Sequence, residues 1–171
     1  MENAVICEIT DLAEKIPAAY FQDLHRLIKK AKRVFVTGAG RSGLLGKCFA
    51  MRLRHLGIES YATGETICPP AHKGDLLLAV SCSGNKKTLI EPVKAAVNTG
   101  AATLCITSSL KNPLARLSGS RIIIPAEKSV QFGNSLFEQA VFVFLETFVE
   151  YYRRKEKITT AEMGKRHFNL E

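Results

Sequence analysis

The sequence predicts a single doubly wound α/β domain, with a five-stranded parallel sheet and helices on both faces. Three observations lead there. Apolar runs of strand length alternate with segments of helical periodicity, the pattern of repeated strand–helix–strand crossovers. The run 75–81 is nearly all apolar, as a strand covered on both faces should be. Two loops, Gly38-Ala39-Gly40-Arg41-Ser42-Gly43 and Ser81-Cys82-Ser83-Gly84, each follow such a run and open into an apolar-periodic helix.

Taken in order, the elements read as follows. Residues 1–32 form an N-terminal helical segment: 4–31 read as helical, with Pro17 starting or breaking a piece. Phe21, Leu24, Leu27 and Ile28 recur there at helical spacing. The first strand is 33–37. The helix after it carries Leu45, Phe49, Leu53 and Leu56 on one face and stops at Gly57. A second strand covers 58–63, Pro69-Pro70 sits in a loop, and the third strand is 75–81. Leu89, Ile90, Val93 and Val97 mark the next helix, closed by Gly100, before a fourth strand at 102–107. Asn112-Pro113 is a helix start, Asn as cap and Pro in the first helical position. The fifth strand is 121–125. A loop through Gly133 leads to a long apolar helix, 135–152, and the polar tail 158–171 reads as helical. With no internal repeat and no linker, 1–171 is expected to be one domain.

Composition narrows the function classes. A chain of 171 residues that is 46% hydrophobic can bury a substantial core. It holds no apolar run near the roughly 20 residues of a membrane span. Met1-Glu2-Asn3 lacks the basic start and apolar core of a signal peptide, so a cytoplasmic location is expected. Cys7, Cys48, Cys68, Cys82 and Cys105 have no metal-type pairing and read as buried thiols in a reducing compartment. The net charge of +8 is spread along the chain, with one concentration at Arg153-Arg154-Lys155 that suits a solvated helix end. Without Trp or interleaved aromatic and basic residues, a nucleic-acid partner is not expected. A positive field does draw in small anions.

The chemistry starts from the two loops. Glycines allow tight turns and close backbone approach, and helix N-termini present N–H groups and a positive dipole end. At neighbouring strand ends they form a cup for one phosphate, lined by Gly40, Ser42, Ser81, Ser83 and Gly84 with Arg41 beside it. The first loop matches the dinucleotide fingerprint G-x-G-x-x-G. That fold also wants an acidic residue at the end of the second strand, which here reads Tyr61-Ala62-Thr63. The second loop has no part in a dinucleotide fold. Glu138 opens the long final helix at the edge of apolar residues, where a carboxylate gains the raised pKa of a base; a favourable first-turn acid is the plainer reading. Glu65 follows the second strand, at the end where ligands bind, and reads equally as acid/base, hydroxyl clamp or surface residue. His55 suits a helix C-terminus, and His167 lies in the polar tail. No His, Cys and carboxylate cluster has ligand spacing, so no metal is expected.

These residues carry a resemblance. The chain resembles the sugar isomerase (SIS) domain family and, within it, is similar to the 6-phospho-3-hexuloisomerases. The likeness runs from about residue 30 to Glu171. Its carriers are the two loops, then Ala50-Met51-Arg52-Leu53-Arg54-His55-Leu56-Gly57, Gly64-Glu65-Thr66, Leu136-Phe137-Glu138-Gln139 and the ending Arg166-His167-Phe168-Asn169-Leu170-Glu171. The loops are shared by all SIS domains; the last two motifs are more specific. With no room for a further domain in 171 residues, the likeness is to the stand-alone enzymes rather than to regulators carrying a DNA-binding module.

The resemblance implies a flavodoxin-like, five-stranded sheet, no cofactor, no membrane or nucleic-acid partner, and a homotetramer with a site shared between subunits. It implies interconversion of D-arabino-hex-3-ulose 6-phosphate and D-fructose 6-phosphate, the second step of formaldehyde fixation through ribulose monophosphate. Alternatives are a non-catalytic sugar-phosphate sensor and an aldose–ketose isomerase of the same fold. Glu138 would be the base, His167 the proton shuttle, and Arg41 the support for phosphate or enediolate. The tail 158–171 would dock His167 on a neighbouring subunit. Two positions depart from the usual Ser-Gly-Ser-Gly-x-Thr: Cys82 replaces a glycine, and Lys86 stands where threonine is expected. Lys86 offers a charge in place of the missing hydroxyl, while Thr88, two residues on, points elsewhere on a helix.

Overall fold

A computed structural model describes residues 3–126 and 128–170. Its five parallel strands run in the order β2-β1-β3-β4-β5: β1 (Val34–Gly38), β2 (Ser60–Ala62), β3 (Leu76–Val80), β4 (Ala102–Thr107) and β5 (Ser120–Ile123). The helices are α1 (Ala4–Glu14), α2 (Ala19–Lys30), α3 (Arg41–His55), α4 (Lys87–Asn98), α5 (Pro113–Leu117), α6 (Ser135–Lys155) and α7 (Thr160–Gly164).

Strand side chains alternate between the two faces. Val34, Val36, Leu76, Leu78, Leu104 and Ile106 face a large core completed by α1, α2, α3 and α6. Phe35, Leu77, Ala79 and Cys105 face a smaller core under α4 and α5. Phe137, Phe144 and Phe148 of α6 are almost fully buried, which explains why a helix so apolar stays within the fold.

The expected strands are all present, and three are shorter than their apolar runs. Ladder pairing ends where each chain turns into its loop: β2 begins at Ser60 and β3 stops at Val80. Ile124 donates to Thr107 O just beyond β5. The tail differs more. Only Thr160–Gly164 is helical, started by a capping box in which Thr159 and Glu162 exchange hydrogen bonds. Ile158 and Met163 pack against the chain's own large core. Glu171 lies outside the described residues. The cysteines are also not uniformly buried: Cys105 is, whereas Cys7 and Cys48 are exposed.

Candidate active site

The strand order sets the location. From β1 the chain crosses to β2 on one side and later returns to β3 on the other, so a crevice opens beyond the C-terminal ends of β1 and β3. Gly38 pairs with Val80 across that boundary, which puts the two glycine–serine loops side by side.

In the first loop the glycines have different reasons. A Cβ on Gly38 would lie 2.7 Å from the Ser42 carbonyl oxygen, and one on Gly43 would lie 2.8 Å from that of Gly38. Strand end and helix start therefore touch backbone to backbone. Gly40 has open space around it but a φ of +60°, which an L side chain resists. The turn makes Arg41 the first residue of α3. A cation there opposes the helix dipole. The compensation is Glu138, in the first turn of α6: Arg41 Nε lies 2.6 Å from Glu138 Oε2. Arg41 also donates from Nη1 to Ser135 Oγ at 2.8 Å. Ser42, 6% exposed, donates to Glu138 Oε1 at 3.3 Å.

Glu138 Oε2 is buried and accepts no aligned hydrogen bond among the described residues. The Arg41 charge is close, but its N–H is not directed at that oxygen. Buried polar atoms are nearly always satisfied, so an under-satisfied carboxylate oxygen marks a place where a ligand group could donate a hydrogen bond. From the pair a cleft of about 520 Å³ runs between α1, α3 and α6, past Leu44, Leu45 and Phe142.

The second loop is braced rather than open. Ser81 is buried and its Oγ accepts from Gly84 N at 3.2 Å, while Ser83 is exposed and accepts from Asn85 N at 3.5 Å. Sequence reasoning took Asn112 for a helix cap alone. Its Oδ1 does accept from Ala115 N at 2.8 Å, but its Nδ2 also donates to Thr107 Oγ1 and to Ser109 O. The same amide presses on Gly84, where a Cβ would fall 2.0 Å from Oδ1. Asn112 therefore locks loop two against the end of β4, a role no sequence spacing reveals. The Cys82 carbonyl accepts from Thr107 Oγ1 and Ser108 Oγ, each at 2.9 Å. Burial, helped by the Glu138 charge, pushes the Cys82 thiol pKa up, with a Ser108 hydrogen bond opposing. Lys86 is the N-cap residue of α4 and Thr88 lies in its first turn, both exposed.

Three expected residues lie elsewhere in the chain. Glu65 is held beside α3, its Oε1 2.5 Å from Lys47 Nζ. His55 is at the opposite end of α3, 6% exposed, with the exposed His167 ring stacked on it at 5.1 Å. Arg166 donates to the His55 carbonyl, so the tail folds back on its own α3. Burial first, then Arg52 and His167, lower the His55 pKa. Within one chain, Arg41, Ser42 and Glu138 come together, and His55 and His167 do not join them.

The parallel sheet with paired glycine–serine loops at its switch point defines a sugar-isomerase class of domain: the chain belongs to the SIS domain family, which it matches over residues 27–146. It is 37% identical to the 3-hexulose-6-phosphate isomerase of Mycobacterium gastri, over 96% of this chain and 86% of that one. It is 31% identical to the 3-hexulose-6-phosphate isomerase of Bacillus subtilis, over 84% and 83%. Among solved structures it resembles a Methanococcus jannaschii protein whose crystal structure infers a molecular function of 3-hexulose-6-phosphate isomerase. That match has a TM-score of 0.90 and 31% identity over 99% of this chain and 98% of the other. Its relatives place it in the 3-hexulose-6-phosphate isomerase branch of the family.

Proposed function

We propose that this protein is a 3-hexulose-6-phosphate isomerase, interconverting D-arabino-hex-3-ulose 6-phosphate and D-fructose 6-phosphate through a 2,3-enediol. The observation that carries the reading is the meeting of Arg41, Ser42 and Glu138 at the two-loop crevice, in a chain whose relatives bear that activity nearly end to end. The ketone moves from carbon 3 to carbon 2, which needs only proton transfers. The phosphate is held by the loop hydroxyls and backbone amides at Gly40, Ser42, Ser81, Ser83 and Gly84, with Lys86 as an added charge. Glu138 takes the proton from carbon 2, leaving an enediolate with its charge on oxygen 3, close to Arg41. Oxygen 3 gains a proton and oxygen 2 loses one through His167, and Glu138 returns its proton to carbon 3.

His167 reaches that chemistry from another copy of the chain. Arg41, Leu44, Cys48, Met51 and His55 follow one another at three- and four-residue steps, so they share one face of α3. Leu44 is 63% and Met51 50% exposed, and Phe142 and Val143 of α6 add to the apolar surface. Two copies packed antiparallel along this stripe, with the two-fold near Cys48, would bring the His55–His167 end of one to the Arg41–Glu138 end of the other. Two such pairs make the homotetramer. Phosphorylated sugars do not cross membranes unaided, so the enzyme works in the cytoplasm, in formaldehyde fixation through ribulose monophosphate.

The deciding experiment follows fructose 6-phosphate in deuterated water by proton NMR. Loss of the carbon-3 proton signal, or growth of 3-hexulose signals, is the expected result. Exchange at carbon 1 would identify an aldose–ketose isomerase instead. Binding with no exchange would identify a sensor.

A further inference from the structure

The N-terminal helix α1 lies ahead of the matched SIS residues and far from the two loops in sequence. Its Glu8 nevertheless reaches across the molecule to the segment 128–134, which precedes α6 and has no regular structure of its own. One Glu8 oxygen accepts from Val130 N at 2.8 Å. The other accepts from Ser129 Oγ at 2.8 Å and from Gln131 Nε2 at 3.2 Å. Gln131 and Gln139 then pair through both of their amides, each bond 2.8 Å, which ties the segment to the first turns of α6. At its far end Ser135 Oγ donates to Phe132 O and accepts from Arg41 Nη1, both at 2.8 Å.

These contacts form a continuous path from α1 to the site. Arg41 is more than half exposed, and long exposed side chains sample many rotamers. Ser135 supplies a fixed acceptor, but only while the Phe132 carbonyl holds its hydroxyl in place, and the position of Phe132 depends on the three residues that Glu8 grips. We infer that Glu8 is a positioning residue for the isomerisation. It anchors 129–131 so that Ser135 holds the Arg41 guanidinium against Glu138 and the reacting oxygen. Ser135 is the intermediate in this path and Arg41 the group that meets the substrate. The inference rests on the proposed isomerase reading.

The Glu8 pKa sits below the ordinary carboxylate value, chiefly because of the Val130 amide. The carboxylate is therefore the form that holds the segment throughout the neutral range. Glu8→Gln keeps an acceptor for Val130 N and loses the charge, whereas Glu8→Ala loses every contact.

The test measures carbon-3 deuterium exchange of fructose 6-phosphate by the full chain, alongside thermal melting. Misplacing a catalytic group by an ångström can cost on the order of 100-fold, so the loss of one indirect support is set at roughly 10-fold in kcat. Glu8→Ala and Ser135→Ala should each lose about that factor, with KM changed much less and Glu8→Gln falling between Glu8→Ala and wild type. The double variant Glu8→Ala/Ser135→Ala should lose no more than the worse single change, because both act through one path. Ser135→Thr, which keeps the hydroxyl, should restore most of the rate. Full activity in Glu8→Ala, or losses that multiply in the double variant, would overturn the inference. If Glu8→Ala melts too early to assay, Glu8→Gln at the same temperature decides: wild-type kcat would overturn it. A wild-type protein without exchange would refute the isomerase reading instead, which keeps the two failures distinct.

Discussion

The two ends of α3 make opposite use of one helix. At its N-terminal end a backbone-tight turn presents Arg41 and Ser42 to a carboxylate from α6, one buried oxygen of which has no hydrogen bond among the described residues. At its C-terminal end, roughly 20 Å away by the helical rise, the chain gathers two stacked imidazoles with Arg52 and Arg166 around them. The first end presents a cation, a hydroxyl and a carboxylate. The second presents imidazoles. The face between them is apolar and exposed. In the proposed two-fold pair, a second copy of the helix brings the two ends together.

The sharpest way to break that comparison is at the carboxylate. Glu138→Gln should lower kcat by on the order of 100- to 10,000-fold, with substrate binding largely kept. Near-normal turnover would transfer the base role to Glu65. The other end is tested by complementation. His167→Ala alone should be inactive to within about 1% of wild type. Co-expressed with Glu138→Gln, it should regain roughly a quarter of wild-type activity, because mixed dimers rebuild one intact site of two. No regain would mean that the two groups act within one chain.

The stripe between the ends gives the next test. In a Cys7→Ser background, mild oxidation should join two chains through Cys48, seen as a covalent dimer on a non-reducing gel and abolished by Cys48→Ser. A persistent monomer at crosslinking concentration would remove the proposed two-fold. Smaller still are the glycine effects. Gly38→Ala drives a Cβ into backbone and should lower Tm by roughly 2 to 12 °C. At the other end, a Cβ on Gly57 meets the movable Arg166 guanidinium at 3.1 Å, and the φ of +84° there strains any L side chain. Gly57→Ala should therefore lower Tm by a few degrees and also displace the tail and lower activity.

The smallest effect is electrostatic. His55 has its folded pKa below its ordinary value of 6.5, so the unfolded chain binds more protons. Its contribution to stability is present above pH 6.5 and is lost as pH falls through 6.5 toward the folded value. His55→Gln should flatten Tm against pH in that interval. The acid limit belongs to carboxylates such as Glu150, which Arg153 and Arg154 hold at about 2. Their contribution is lost only as pH falls below about 4.5, and His55→Gln should leave that part of the curve unchanged.

Much of this was readable from local chemistry. Strand and helix periods, the Asn112-Pro113 cap and the loop glycines are consequences of residues within a few positions of one another, so the five strands and their order along the chain follow from the sequence. The two loops and Glu138 stood out because each places unusual residue types at a strand end or helix start. Folding back of the tail was not legible, because it depends on Ile158 and Met163 finding a core made of distant residues. The same is true of Asn112 on Gly84, of Ser42 on Glu138 and of Glu8 on 129–131, which join positions 28, 96 and more than 120 residues apart. By itself the sequence determined the doubly wound sheet and singled out the two glycine–serine loops and Glu138, since these rest on short-range periodicity and turn chemistry. Only the tertiary structure decided which groups meet: it joined Arg41, Ser42 and Glu138 and set the histidines at the far end of α3. The physical reason is that side-chain proximity between remote segments follows from packing and sheet order, to which no spacing along the chain corresponds.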